Sequence, residues 1–257
     1  MEQGDVGMLE FKDVSFRYAQ GVKSTVENLS FSMEEKSFVS IIGSSGCGKS
    51  TIFRLINGLE KKEKGEILVD GKRIEEIKNY SAYMPQKDLL YPWRTVEKNL
   101  FLPMEINNTS KEEMKEKTEK ILKEVGLFEY AKRYPKELSG GMKQRAAFAR
   151  TLLTGCDLLL LDEPFSALDS LTKIEMQQWL LAEWEKYEKT ILFVTHDVEE
   201  AIFLSKKILV VTQTPITKFE EYIVPMEYSR KREDMKTKEI IELKEYLISN
   251  LRQKVRV

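Results

Sequence analysis

The sequence predicts an α/β fold, and three observations carry that prediction. Short apolar runs, FVSII (38–42), DLLLLD (157–162), TILFVT (190–195) and KILVV (207–211), alternate with segments of helical pattern. Strands that alternate with helices build a sheet with helices packed on its faces. In DLLLLD the leucines are consecutive between two aspartates, which suits a strand covered on both sides, as in a parallel sheet. FVSII runs into a Gly/Ser loop and then into the helix-like KSTIFRLINGL (49–59), a strand–loop–helix unit.

The remaining elements follow in chain order. MLEFKDVSFRY (8–18) alternates apolar and polar residues, and VENLSFSMEEKSFVSIIG (26–43) continues that pattern into an apolar end, so both read as strand. GEILVDGKRI (65–74) reads as a hairpin, with Asp70-Gly71 as its tight turn. From about residue 87 to 137 the pattern becomes helical. SKEEMKEKTEKILKEVG (110–126) opens with Ser110 and Glu113 at capping-box spacing and closes on Gly126. Met114, Ile121, Leu122 and Val125 fall on one stripe of this helix, with a charged face opposite. After about residue 225 the chain is charged and helix-like. The expected organisation is one domain over 1–257. Residues 8–86 and 150–225 form its core and β subdomain, 87–149 an inserted helical subdomain, and 226–257 a C-terminal helical tail.

Composition narrows the function. Hydrophobic residues make up 42% and charged residues 32% of 257, as in a soluble globular protein. Lys+Arg 41 against Asp+Glu 42 gives a net charge of −1, without the basic excess that nucleic-acid binding normally shows. Cys47 and Cys156 lie in different motifs and suggest no disulfide framework, which fits a reducing cytosol. The acidic start MEQGDVGMLEFKDV is unlike a signal peptide. No apolar run approaches the roughly 20 residues that span a bilayer, so any membrane role is peripheral.

Three motifs carry chemistry. GSSGCGKST (43–51) fits the phosphate-binding loop G-x-x-x-x-G-K-[ST] between a strand and a helix. The loop residues Gly43, Ser44, Ser45, Gly46, Cys47 and Gly48 would curl so that backbone N–H groups face a phosphate at a helix start. Lys49 would neutralise the outer phosphates, and Ser50, next to Thr51, would ligate Mg²⁺. The Cys47 thiol is given no catalytic task. LLLLDEP (158–164) places Asp162 at a sheet edge, suited to the Mg²⁺ shell, with Glu163 beside it as a general base for water. LSGGMKQRAAFAR (138–150) sets Ser139 and the flexible Gly140-Gly141 pair immediately before a helix, a second anion-binding start. One nucleotide has one γ-phosphate, so this second start is expected to serve a nucleotide held by another copy.

With these motifs in order the chain resembles the ATP-binding cassette of ABC transporters, over nearly its whole length. GSSGCGKST looks like the Walker A motif, LLLLDEP the Walker B and LSGGMKQR the signature. YMPQKD (83–88) supplies Gln86 as the Q-loop residue, SALD (166–169) supplies Asp169 of the D-loop, and VTH ends on the chain's one histidine, His196. The resemblance implies a P-loop core sheet of RecA type, an N-terminal antiparallel β subdomain and an inserted α-helical subdomain. It implies two cassettes, here two copies, dimerised head to tail around two ATP molecules with Mg²⁺. Tyr18 would stack on adenine, and Gln86 would contact Mg²⁺ and the γ-phosphate. His196 would reach the γ-phosphate and the attacking water, on a turn fixed by capping-box spacing of Asp197 and Glu200.

LLYPWRTVEKNL (89–100) carries Leu89, Leu90, Tyr91 and Trp93 in a segment broken by Pro92. Two readings stand: core packing in the helical lobe, or a groove for a helix of a membrane subunit. This stretch, with DEPFSALDSLT (162–172) and FVTHDVEEAIFLS (193–205), is similar to ATPase subunits of nitrate/sulfonate/taurine-type importers, a group that includes importers of thiamine-precursor pyrimidines. The likeness implies a membrane permease and an extracytoplasmic solute-binding protein as partners, with this chain at the cytoplasmic face. TQTPITKFEEYIVP (212–225) departs from the basic, Gly-containing turn usual there, and Lys206-Lys207 from the usual acidic–basic order. A subunit driving export or lipoprotein release shares the catalytic motifs and is the alternative.

Overall fold

The apolar runs become neighbouring strands of one sheet. The computed structural model describes residues 7–19, 23–166 and 168–254. Its larger sheet has six strands in the order β10-β9-β3-β8-β7-β6. These are β3 (Phe38–Ile42), β6 (Ser81–Met84), β7 (Leu158–Asp162), β8 (Thr190–Thr195), β9 (Lys207–Val210) and β10 (Glu220–Ile223). All pairings are parallel except β10 on β9. Every residue of β3, β7 and β8 is buried, as the unbroken apolar runs require when helices cover both faces.

The second sheet is antiparallel, β2-β1-β4-β5. It contains β1 (Leu9–Phe16), β2 (Val26–Met33), β4 (Lys64–Val69) and β5 (Lys72–Arg73). Asp70 and Gly71 form the β4–β5 turn, both with positive φ (50° and 70°), the backbone that an Asp-Gly hairpin turn needs. The stretch 26–43, read as one continuing strand pattern, divides into β2 and β3 in different sheets. The break is a polar turn with Lys36 at φ 54°. An isolated bridge between Val26 and Ile216 joins the antiparallel sheet to the core.

The inserted lobe consists of α2 (Val96–Ile106) and α3 (Lys111–Glu124) with the start of α4 (Gly140–Leu152). Ser110 caps α3 by accepting from Glu113 N, and Gly126 follows its end at φ 65°. The expected capping box is only half closed, because the Glu113 carboxylate pairs with Lys117 at 2.7 Å. Helix α4 crosses the expected boundary at 149/150 and packs on both α2 and β6. Its Ala146, Ala147 and Ala149 are buried in one core with Val96, Leu100 and Ile121 of the lobe and Leu159, Leu161 and Phe193 of the sheet. The lobe is therefore held to the sheet by shared apolar burial, at about 25 cal/mol per Å².

Helix α1 (Lys49–Ile56) follows β3, α5 (Ser170–Tyr187) follows β7, and α6 (Val198–Leu204) follows β8. The tail helix α7 (Lys238–Lys254) packs on α6 through Ile240 and Leu247. No described helix is long and apolar enough to cross a membrane.

Candidate functional site: the edge beyond β3, β8, β7 and β6

Parallel pairing brings four strand ends to one edge. In register, Ile42 pairs with Thr195, Asp162 with Val194, and Met84 with Leu161. The chain leaves those ends at Gly43, His196, Glu163 and, after Pro85, Gln86. Open α/β sheets bind ligands at such an edge, because loops and helix starts gather there.

The loop 43–48 links β3 to α1. Gly46 (φ 78°) and Gly48 (φ 106°) adopt left-handed backbone that L side chains rarely take. Gly43 has a different reason: a Cβ there would lie 2.9 Å from Cys47 Sγ and 3.0 Å from Val211 Cβ. Ser44, Ser45 and Gly46 are exposed. The Lys49 ammonium is folded into the loop, donating to the carbonyls of Gly43 and Ser44, both at 2.9 Å. The Cys47 thiol is turned inward, 4.0 Å from Lys49 Nζ. Tyr18 Oη lies 3.1 Å from Thr51 Oγ1, so the sequence-predicted aromatic stands beside the phosphate loop.

Asp162 is 6% exposed. Ser50 Oγ donates to its Oδ1 at 3.3 Å and Tyr83 Oη to its Oδ2 at 3.1 Å. Burial pushes this carboxyl above the usual range, and the two hydroxyls pull against that shift. A hydroxyl and a buried carboxylate are hard oxygen donors, the set that suits Mg²⁺.

Glu163 comes next, at φ 46°, a left-handed conformation that costs a non-glycine residue roughly 1–2 kcal/mol. Its N–H donates to Val194 O at 2.9 Å. Gln86 Nε2 donates to Glu163 Oε2 at 3.1 Å, and His196 Nδ1 lies 3.1 Å from the same oxygen. Gln86 Nε2 is also 3.3 Å from Ser166 Oγ. Three residues predicted from separate motifs thus meet at one carboxylate oxygen.

The turn carrying His196 is fixed. Asp197 caps α6 by accepting from Glu199 N and Glu200 N, and its own N–H donates to Thr195 Oγ1 at 3.0 Å. Glu200 does not complete the expected capping box. It is 4% exposed, bonds to Thr195 Oγ1 and pairs with Lys173 at 2.6 Å. Lys173 also reaches Asp197 at 2.8 Å, tying the first turn of α5 to the His196 segment.

The second anion-binding start differs from expectation. Gly140 and Gly141 are the first residues of α4, not a flexible pair before it, and Ser139 caps the helix by accepting from Met142 N at 3.3 Å. Gly141 is buried, and a Cβ there would lie 2.5 Å from Thr172 Cγ2. Close approach of α4 to α5 is what demands this glycine. Asp169 caps α5, accepting from Leu171 N and Thr172 N, both at 3.2 Å. Ser139, Gly140 and Asp169 are exposed. Ala167 of the SALD motif lies outside the described residues.

The 89–100 segment divides between burial and exposure. Leu90, Val96 and Leu100 are buried, whereas Leu89, Tyr91 and Trp93 are exposed, Trp93 by 70%. Buried Asn99 clamps the loop: Oδ1 accepts from Tyr91 N at 2.7 Å, while Nδ2 is bonded to the carbonyls of Tyr91, Arg94 and Thr95. Arg150 donates to the carbonyls of Asp88 and Leu89. The apolar side chains are therefore presented on a held loop. Asn99, Arg150, Lys173 and Tyr83 were not singled out by sequence. Tyr83, Asn99 and Arg150 stand inside quoted stretches and Lys173 just past one, but nothing in their spacing signals the contacts they make.

Residues 26–166 match the ABC transporter family. The chain is 45% identical over 226 residues, 88% of each chain, to the formylaminopyrimidine import ATP-binding protein ThiZ of Halalkalibacterium halodurans. It is 42% identical over 200 residues, 78% of each, to the aliphatic sulfonates import ATP-binding protein SsuB of Bacillus cereus. Identity to the taurine import ATP-binding protein TauB of Rhizobium johnstonii is 41% over 199 residues, 77% of this chain and 76% of that one. The ATP-binding cassette MJ0796, solved as a dimer in a post-hydrolysis state with ADP and Pi, superposes with a TM-score of 0.73. It is 28% identical and covers 86% of this chain and 100% of its own. The chain belongs to the ABC transporter family. Within it, the chain is an ATP-hydrolysing subunit of the importer type.

Proposed function

We propose that the chain hydrolyses ATP between two copies of itself to drive uptake of a small solute through a separate membrane permease. The solute class follows kinship: nitrate, a sulfonate such as taurine, or a thiamine-precursor pyrimidine. An extracytoplasmic binding protein would deliver it, and the cassette would sit peripherally at the cytoplasmic face. The observation that carries the catalytic part is the meeting of Gln86 and His196 at Glu163 Oε2, beside the phosphate loop.

In this reading Tyr18 stacks on adenine, and the residues from Gly43 to Thr51 hold the phosphates. Ser50, Asp162 and Gln86 hold Mg²⁺, which when bound offsets phosphate charge. The adjoining Ser50 and Asp162 support that role, and the phosphates themselves would complete the shell. Glu163 takes a proton from the attacking water. His196 keeps the geometry of that carboxylate and reaches toward the γ-phosphate. Ser139, Gly140 and Asp169 act across the dimer, a role their exposure supports, while Gly141 lets α4 seat against α5. Signature donors from the second copy stabilise charge on the transferring group. Leu89, Tyr91 and Trp93 receive a permease helix.

Co-purification of the tagged chain from detergent-solubilised membranes tests this reading. A multi-span partner together with a binding protein supports import. A multi-span partner alone favours the export alternative, and soluble partners alone contradict a transport role.

A further inference from the structure

Asp162 receives hydroxyls on both of its oxygens, and only one of the two donors has a part in the reading above. Ser50 serves Oδ1; Tyr83 serves Oδ2 at 3.1 Å. A phenol is protonated at neutral pH, so it donates to a carboxylate. The Tyr83 ring is edge-on to Phe53 of α1, with centroids 6.0 Å apart and planes at 84°. Tyr83 pairs with Leu160 across β6 and β7. Its hydroxyl is thereby aimed at Asp162 from two directions, by the adjacent strand and by the helix that begins with Lys49 and Ser50. Gln86 follows along the same strand exit.

We propose that Tyr83 is a positioning residue for the metal-binding carboxylate, holding Oδ2 so that Oδ1 faces Ser50 and the phosphate loop. The proposal rests on the reading of Ser50 and Asp162 as the Mg²⁺ site. A carboxylate with one oxygen anchored is pre-oriented for the cation. Partners of this kind typically change metal affinity by about 10–100-fold when removed. Tyr83→Phe keeps the ring against Phe53 and deletes only the hydroxyl.

The test titrates Mn²⁺ into the purified chain loaded with stoichiometric ADP, reading bound Mn²⁺ by electron paramagnetic resonance. ADP affinity in EDTA is measured in parallel, as a check that the nucleotide site is folded. Tyr83→Phe should weaken Mn²⁺ binding about tenfold with ADP affinity in EDTA unchanged, and Asp162→Asn should weaken it further. Unchanged Mn²⁺ affinity in Tyr83→Phe, with a loss in Asp162→Asn, overturns the proposal and leaves the metal site standing. Unchanged affinity in Asp162→Asn overturns both. Loss of ADP binding in EDTA by Tyr83→Phe also overturns it, because the hydroxyl would then be serving the nucleotide pocket as a whole.

Discussion

Replacing Lys173 with Met should loosen the turn that carries His196. In the wild type Lys173 Nζ lies 2.8 Å from Asp197 and 2.6 Å from Glu200, whose side chain is only 5% exposed. Met fills similar space and removes the charge, leaving Glu200 buried without its counter-ion. Breaking a fully buried pair on one side costs about 3–5 kcal/mol. Lys173 retains 24% of its exposure, so about 2–4 kcal/mol is expected here. For a chain of this size that is roughly 5–15 °C in Tm. Burial already pushes Glu200 above the usual carboxylate range, and the Lys173 bond opposes it. Without the lysine the folded-state value rises further. A raised carboxyl favours the folded state while protonated and loses that advantage as pH rises through its folded value. The deficit of the variant should therefore grow from the carboxylate range upward and shrink in acid. Thermal melts followed by circular dichroism across pH check this, and Lys173→Arg should restore most of the loss. A variant that melts with the wild type at neutral pH would show that Lys173 does not hold Glu200 and the His196 turn.

Three further outcomes are expected. Gly141→Ala places a methyl 2.5 Å from Thr172 Cγ2 and should cost about 1–3 kcal/mol by overpacking, measured by urea unfolding; Thr172→Ser in the same chain should recover part of it. Trp93→Ala removes a side chain that is 70% exposed, so stability should stay within about 0.5 kcal/mol while recovery with the membrane fraction falls. Asn99→Leu leaves the Tyr91 N–H and three carbonyls without their side-chain partner. It should cost about 1–3 kcal/mol and increase proteolytic cutting near Pro92.

What sequence made legible was what a strand period or a phosphate loop writes locally. DLLLLD read as a strand covered on both faces and TILFVT as a strand, and both are fully buried strands of the larger sheet. Gln86, Glu163 and His196 were predicted from separate motifs, and parallel register then brought them together. Contacts between elements distant in the chain were not legible. Lys173 stood in no motif and Glu200 read as half of a capping box, yet the fold sets them 2.6 Å apart. Gly141 read as flexibility because sequence does not show the Thr172 methyl packed against it. The break between β2 and β3 lay in the polar EEKS turn, which the alternating pattern on either side concealed.

The central claim is that Glu163 activates water at a site which binds ATP without it. Its most direct test is ATP binding and steady-state hydrolysis by Glu163→Gln in the purified chain. The amide keeps the shape of the side chain and the bond to Gln86 can reorganise, but it has no basic oxygen to take a proton. ATP affinity should stay at the wild-type value while turnover falls by about 10²–10⁴-fold, the usual contribution of a general base. Hydrolysis near the wild-type rate would contradict that role for Glu163.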